Sequence, residues 1–379
     1  MSATKPSLAL LRSLSDEHVL HAVMTGGAAT RAQLATATGL SKPTVSQSVQ
    51  RLADAGVLRD TGDRTTGRGG VGVYYALADE LGTALAVSIA PGSVVVESLD
   101  AYGHVLRTTS TPLTHPVGPD EVARGLASAA GRASVGLAPV RTVSVSAADP
   151  VDRTSGRLVH LPDAPFLVGE LDPVAVLSDV AAGAVVTVDN DVNWAARAER
   201  DARTGAEAQD FVYLYLGEGV GLGVVSDGEV RRGFRGFAGE VAHVVTTGPD
   251  GSAMAFTEVF RDLDLRLPDS SAIDVTALVA IVHAGGGGDR GVTRSLGRAV
   301  AGVVAAAVAL LDPAWVVVGG PWGSDEAVFR ALGEHVRRLT RPVTFERARQ
   351  VRDASLTGAR HQALADLRAG IVAEAAARD

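Results

Sequence analysis

The sequence predicts an α/β protein in two parts, an N-terminal winged helix-turn-helix followed by a much longer domain that alternates strands and helices. Three observations carry this. Residues 30–77 hold two capped amphipathic helices joined by a glycine turn, then a two-stranded wing. The remainder alternates Val-rich with Ala-rich segments, the order that builds α/β layers. Charge separates the parts: residues 1–78 carry eight Lys/Arg against five Asp/Glu, a net +3, whereas the whole chain is −8, leaving −11 to residues 79–379. Only the small part has the sign that suits phosphate.

Thr30 is placed to cap a short helix carrying Leu34 and Ala37, and Gly39 supplies the turn because it tolerates positive φ. Ser41 caps the next helix. With Pro43 in its first turn, that helix buries Val45, Val49 and Leu52 and turns Lys42, Thr44, Ser46, Gln47 and Gln50 to the other face, where they can reach base edges in a major groove. Gly56 closes it, Val57 and Leu58 begin a strand, and a hairpin wing follows with Arg64 and Arg68 near its tip. Arg68, between glycines, is expected to enter a minor groove. The same caps and periods would also serve a plain three-helix packing unit; the local positive charge favours DNA.

At 379 residues and 46% hydrophobic, the chain is long enough for more than one core. It has no cysteine, which excludes disulfides and thiolate metal sites. The opening LALL run is too short for a signal peptide, and a charged helix follows at once. The nearest approach to a membrane span, residues 299–311, suits a buried helix better. A cytoplasmic location with no membrane partner is expected.

Beyond the wing, strands are expected at 85–89, 93–99 and 104–109, a helix over 119–136, a strand at 140–146 and a helix around 173–182. AVVTV reads as a buried strand and DNDVNWAARAERDA as a turn into a helix. FVYLYLGEGVGLGVVSDGEVRRG predicts a hairpin turning at Asp227 and Gly228. A long Ala/Val helix then runs into WVVVGGPWG and a further helix, and the glycines at 285–288 read as a flexible loop.

The order of these pieces resembles the ROK family of bacterial sugar-responsive repressors and sugar kinases, over essentially the whole chain. The resemblance implies a two-lobed actin-like, ribonuclease-H-type domain over residues 79–379, and Leu40 to Gly56 is similar to the winged helix of its repressor branch. In the family, two glycine turns and an acid hold nucleotide phosphates and metal. At the first turn this chain has Ser88 in place of the acid, Ala90 in place of a glycine, and Pro91, which lacks an N–H for phosphate. The second keeps Gly217, Gly219, Gly221 and Gly223 but has Glu218 where a threonine is usual. A carboxylate facing phosphate at 4 Å costs about 4 kcal/mol at an effective dielectric of ~20. Kinase activity is therefore not expected.

The resemblance implies that the sugar-binding residues are better kept. Asp189, Asn190, Asp191, Val192 and Asn193 match an N-D-x-N segment in which Asp191 stands where kinases hold their general base. Gly239 to His243 match G-E-x-G-H, with Ala242 for a glycine, and place Glu240 and His243 against a sugar ring. Glu258 corresponds to a further sugar-contacting glutamate. Carboxylates, an amide and an imidazole suit a polyhydroxy ligand, whose hydroxyls both donate and accept. Asn190 and Asp191 would equally serve as a plain helix cap, and His243 as a core histidine. The family's three zinc-binding cysteines are missing between His243 and Glu258, so neither that metal nor any other cofactor is expected. Ala148 and Asp149 stand where a Pro-Gly turn is usual.

These readings converge on a transcriptional regulator, expected to be a repressor, that binds a double-stranded DNA operator as a homodimer or homotetramer and is controlled by a sugar or sugar-like effector. Two rivals stay open: an active sugar kinase carrying a DNA-binding domain, and a constitutive DNA-binding protein whose effector pocket has decayed.

Overall fold

A computed structural model describes residues 8–67, 70–114, 117–161, 165–268, 270–284 and 289–378. The N-terminal unit comprises α1 (Leu8–Gly26), β1 (Ala29–Thr30), α2 (Arg31–Thr38), α3 (Lys42–Asp54), β2 (Leu58–Gly67) and β3 (Gly70–Leu77). Thr30 and Gln33 cap α2 reciprocally, Gly39 turns the chain at φ 71°, and Ser41 accepts from the Thr44 amide to start α3. Val45, Val49 and Leu52 are buried against Val19, Leu20 and Val23 of α1. A bidentate Arg51–Asp16 pair fixes α3 to α1.

The first lobe holds β4 (Thr83–Ala90), β5 (Ser93–Leu99), β6 (Val105–Pro112), α4 (Pro119–Ser134), β7 (Val140–Ala147), α5 (Pro173–Leu177) and β8 (Val185–Asn190). Its sheet runs β6-β5-β4-β7-β8, antiparallel across the first three strands and parallel across the last three. From the edge of that sheet α6 (Asp191–Asp201) leads into the second lobe, which holds β9 (Phe211–Leu216), β10 (Val220–Ser226), β11 (Glu229–Val230), the β12–β13 hairpin (Val245–Thr247 and Ala253–Ala255), α7 (Phe256–Asp262), α8 (Val275–Ala284), α9 (Asp289–Leu311), β14 (Trp315–Gly319), α10 (Glu326–Val336) and β15 (Thr344–Arg347). Its sheet, β11-β10-β9-β14-β15, repeats the first lobe's pattern of antiparallel then parallel pairing. Each lobe buries its own Val/Leu core.

The C-terminal helix α11 (Ala354–Ala377) returns to the first lobe, where the Thr142 hydroxyl donates to the Ala363 carbonyl at 2.9 Å. Its Leu367, Ile371 and Ala375 share one buried cluster with α1, α3 and Leu99 of β5. Arg368 donates to the carbonyls of Met24, Ala101 and Tyr102, and the Tyr102 hydroxyl accepts from the Leu77 amide at 2.8 Å. The winged helix is thus docked on the first lobe through α11.

Three expectations are corrected. AVVTV is an edge strand, β8, with Val185 62% exposed, because among the described residues no strand covers its outer side. The helix expected over 173–182 ends at Leu177. Asp227 and Gly228, at φ 52° and 73°, do turn the chain, but only into the two-residue β11; the long hairpin, β9–β10, turns at Gly217–Gly219. The glycines at 285–288 lie outside the described residues. The stretch Gly291–Leu311 of α9 is long and apolar enough to cross a membrane by length and composition, yet its Leu296, Ala299, Val300, Val303 and Val304 are buried in the second lobe's core.

Candidate functional site

A cavity of about 280 Å³ lies between the lobes, walled on one side by Pro91, Gly92, Ala148 and Phe166 and on the other by Tyr215, Glu218, Glu240 and His243. The N-terminus of α6 forms its floor. Asn190 caps that helix, accepting from the Val192 amide at 2.9 Å, while its Nδ2 donates to the carbonyls of Asp149 and Ala147. The cap and the cavity wall are therefore one residue, so the structural and ligand-facing roles of Asn190 coexist. Asp189 is buried behind it and accepts from Asn193 Nδ2 at 2.9 Å and from Arg232 Nε at 2.6 Å.

Close packing explains the glycines of β10. A β-carbon at Gly221 would come 2.8 Å from Val192 Cγ2, and one at Gly223 2.6 Å from Ala196 Cβ, so both glycines let α6 lie on the strand. Gly239, at φ 93°, brings the loop that carries Glu240 so near β10 that an added β-carbon would collide with the Leu222 carbonyl oxygen. These contacts place Asp191 and Glu240 at the same cavity.

The cavity is strongly acidic. Burial pushes the Asp191 carboxyl up to about 7, the charge of Glu240 adds to this, and the Val192 amide opposes it. Burial alone lifts Glu240 to about 7. Behind them Asp149 is 1% exposed, and neither carboxylate oxygen has a hydrogen-bond partner among the described residues. Burial, with the charges of Asp191 and Glu240, raises it to about 7 as well, only partly offset by the nearby Leu167 amide. Among the described residues no Lys or Arg lines the cavity, so His243 is the one lining side chain that can carry positive charge.

Of the expected ligand residues, Asn190, Asp191, Glu240 and His243 line this cavity and Glu258 does not. Glu258 sits in the first turn of α7, where Arg261 and Arg266 take its carboxylate; its neighbour Thr257 reaches the wall instead. Asp149 and Tyr215 carried no comparable signal. Asp149 was marked only by occupying an altered turn, and Tyr215 by nothing beyond its strand. Where the family resemblance places a zinc loop, β12 and β13 form a hairpin with no cysteine, so the residues do not fit that metal. Thr246 donates to the Ala299 carbonyl at 2.7 Å and packs on Gly302, which fixes the hairpin to α9.

At the other end of the molecule, Lys42, Gln47 and Gln50 are exposed on α3, and Thr44 and Ser46 are half-buried. Thr44 shares a hydrogen bond with Ser41, and Gln50 donates to Asp54. Arg64 lies on β2 opposite Val73 with its guanidinium on both oxygens of Asp60, so a phosphate would have to displace that carboxylate. Arg68 lies outside the described residues.

Comparison with known proteins covers both parts of the chain. A model of the ROK family matches residues 93–365, and one of the MarR family matches residues 18–69. A solved structure described as a ROK family transcriptional regulator, homolog of E. coli MLC protein, superposes with a TM-score of 0.66 over 97% of this chain and 99% of that one at 18% identity. A ROK hexokinase from Thermus thermophilus gives 0.58 over 76% of this chain and 100% of that one at 27% identity. In sequence, the chain is 32% identical over 170 residues to the bifunctional enzyme NanE/NanK of Brucella suis, covering 43% of this chain and 32% of that protein. It is 29% identical over 171 residues to a glucokinase of Streptomyces coelicolor, 45% of this chain and 52% of that one. It is 22% identical over 246 residues to a xylose repressor of Caldicellulosiruptor bescii, 64% of this chain and 61% of that one. The chain thus spans about a third to three-fifths of the length of these relatives.

Proposed function

Because the chain belongs to the ROK family and carries a MarR-type winged helix ahead of the family domain, we propose that it is a cytoplasmic transcriptional regulator whose DNA affinity is set by a sugar-like effector in the cleft. The observation that carries this reading is the path from one site to the other. Asp191 opens α6, α6 packs on α11, and α11 packs on α1 of the winged helix. A ligand that prefers one spacing of the lobes therefore biases how the winged helix is held. A palindromic operator needs two such helices, so the active species is a homodimer or a dimer of dimers.

The cleft's chemistry supports a neutral polyol over an anion. The carboxyl groups that line the cleft, on Asp191, Glu218 and Glu240, accept hydroxyl protons well and, when charged, repel phosphate. A volume of about 280 Å³ matches a monosaccharide-sized ligand. The same repulsion, with Pro91 and Glu218 on the wall, disfavours ATP, and we read the domain as non-catalytic.

Thermal unfolding with a panel of neutral sugars tests the reading. A true effector stabilises the wild type by about 2.7 kcal/mol at a hundredfold excess over Kd. Asp191→Ala and Glu240→Ala abolish both that gain and the ligand's effect on DNA binding, while ligand-free DNA affinity stays close to normal. No shift across the panel, or a shift surviving both substitutions, would favour a constitutive DNA-binding protein with a decayed pocket.

A further inference from the structure

A second cavity, of about 580 Å³, lies beside α6 and β11 and is lined by Arg153, Arg197, Arg200, Arg231 and Arg232 against one carboxylate, Glu229. Three of the arginines have acidic partners: Arg232 on Asp189 at 2.6 Å, Arg231 on Asp227 at 2.9 Å and Arg200 on Asp201 at 2.7 Å. The Arg153 guanidinium donates to the Gly233 carbonyl, and neither it nor Arg197 has a carboxylate partner among the described residues. Arg197 rests over the Trp194 ring at 6.0 Å, and its Nε is buried with no hydrogen-bond partner among the described residues. Burial and the charge of Arg200 push its guanidinium below the ordinary value, against the pull of Asp201, Asp366 and Glu229. The five guanidinium groups thus outnumber the carboxylates that line the cavity or pair with them, Glu229, Asp189, Asp201 and Asp227, by one.

We propose that this cavity is a binding site for a compact phosphorylated small molecule, distinct from the cleft. Planar guanidinium forks bind phosphate oxygens in pairs, and several converging forks select a dense anion over a single carboxylate. The site is concave, which fits a small molecule rather than the face of a duplex. Phe234, 93% exposed at the rim, offers a ring surface to the rest of the ligand. The two cavities then take ligands of opposite electrostatic character, the cleft excluding what the arginines hold. Arg232 joins them, because it is also the counter-ion of buried Asp189 in the N-D-x-N segment.

Calorimetric titration of the full-length protein with inorganic pyrophosphate tests this. Saturable binding is expected, weakened about tenfold or more by Arg197→Gln and by Arg153→Ala, and unchanged by Asp191→Ala. Arg153 is exposed, so its variant stays informative even where a change in α6 disturbs folding. The proposal is overturned if wild type shows no saturable binding, if both arginine variants bind as wild type does, or if Asp191→Ala removes the binding. A sugar-induced thermal shift kept by Arg153→Ala and lost by Asp191→Ala separates failure here from failure of the cleft reading.

Discussion

Trp194 on α6 and Gly358 on α11 meet backbone to backbone: a β-carbon at Gly358 would lie 2.7 Å from the Trp194 carbonyl carbon and nearer still to its oxygen. The Trp194 indole Nε1 donates to the Val145 carbonyl at 2.9 Å, which fixes the same turn of α6 to β7. This contact lies on the route between the cleft and the winged helix. The helices touch there only because Gly358 has no side chain.

Gly358→Val is expected to force α11 off α6 at a cost of about 1–3 kcal/mol in urea unfolding, the usual range for overpacking. The cleft residues are untouched, so sugar binding persists while its effect on DNA affinity falls. Unchanged coupling in this variant would show that the signal runs elsewhere.

The buried carboxyl of Asp149 gives a pH dependence of definite sign. In the unfolded chain it ionises near the ordinary 3.8, and in the folded protein near 7. Between those values the folded state holds a proton that the unfolded state has lost, so stability declines as pH rises from about 4 to about 7 and then levels off. Asp149→Asn removes this contribution. The variant should be more stable than wild type by about 4 kcal/mol at pH 8 and indistinguishable from it below about pH 4. An equal difference at both ends of the range would assign the effect to packing instead.

On α3, Gln47→Ala and Thr44→Ala are expected to relax base preference by about 1–3 kcal/mol at single operator positions, whereas Lys42→Ala weakens all sequences alike and flattens the salt slope. Binding to an operator selected from a random library, compared with random DNA, reads both effects. If all three substitutions leave both affinities unchanged, α3 is not the reading helix.

Phosphoryl transfer is expected to be absent, since Ser88 supplies no metal-holding carboxylate and Pro91 no phosphate-binding amide. A coupled assay for ADP with the sugar that shifts the melting temperature should show no turnover above the background of Asp191→Asn. Saturable, sugar-dependent ADP release lost in that variant would reverse this.

Much of the N-terminal unit was legible because its signals are local. The Thr30 and Ser41 caps, the Gly39 turn and the buried face of α3 depend on residues within a few positions of one another, and the sequence displays that spacing directly. The cleft was legible in part, through Asn190, Asp191, Glu240 and His243. Glu258 misled because its residue type is right, while its direction is decided by Arg261, one turn further along α7, and by Arg266, beyond the end of that helix. Arg64 was visible as a charge, but its pairing with Asp60 depends on the bulge that breaks the β2–β3 register between them.

By itself the sequence determined the class of each part, the order of most elements, the absence of thiolate chemistry and the positive sign of the winged helix. All of these follow from composition, from periodicity and from hydrogen bonds between near neighbours. Only the tertiary structure decided that Asp149 is buried behind Asp191 and Glu240, that five arginines converge beside the cleft, and that α11 ties the cleft's helix to the winged helix. Such convergence is set by how sheets and helices stack, through contacts like Gly223 with Ala196 and Gly358 with Trp194. The distance between remote residues is a property of that packing, and no local pattern encodes it.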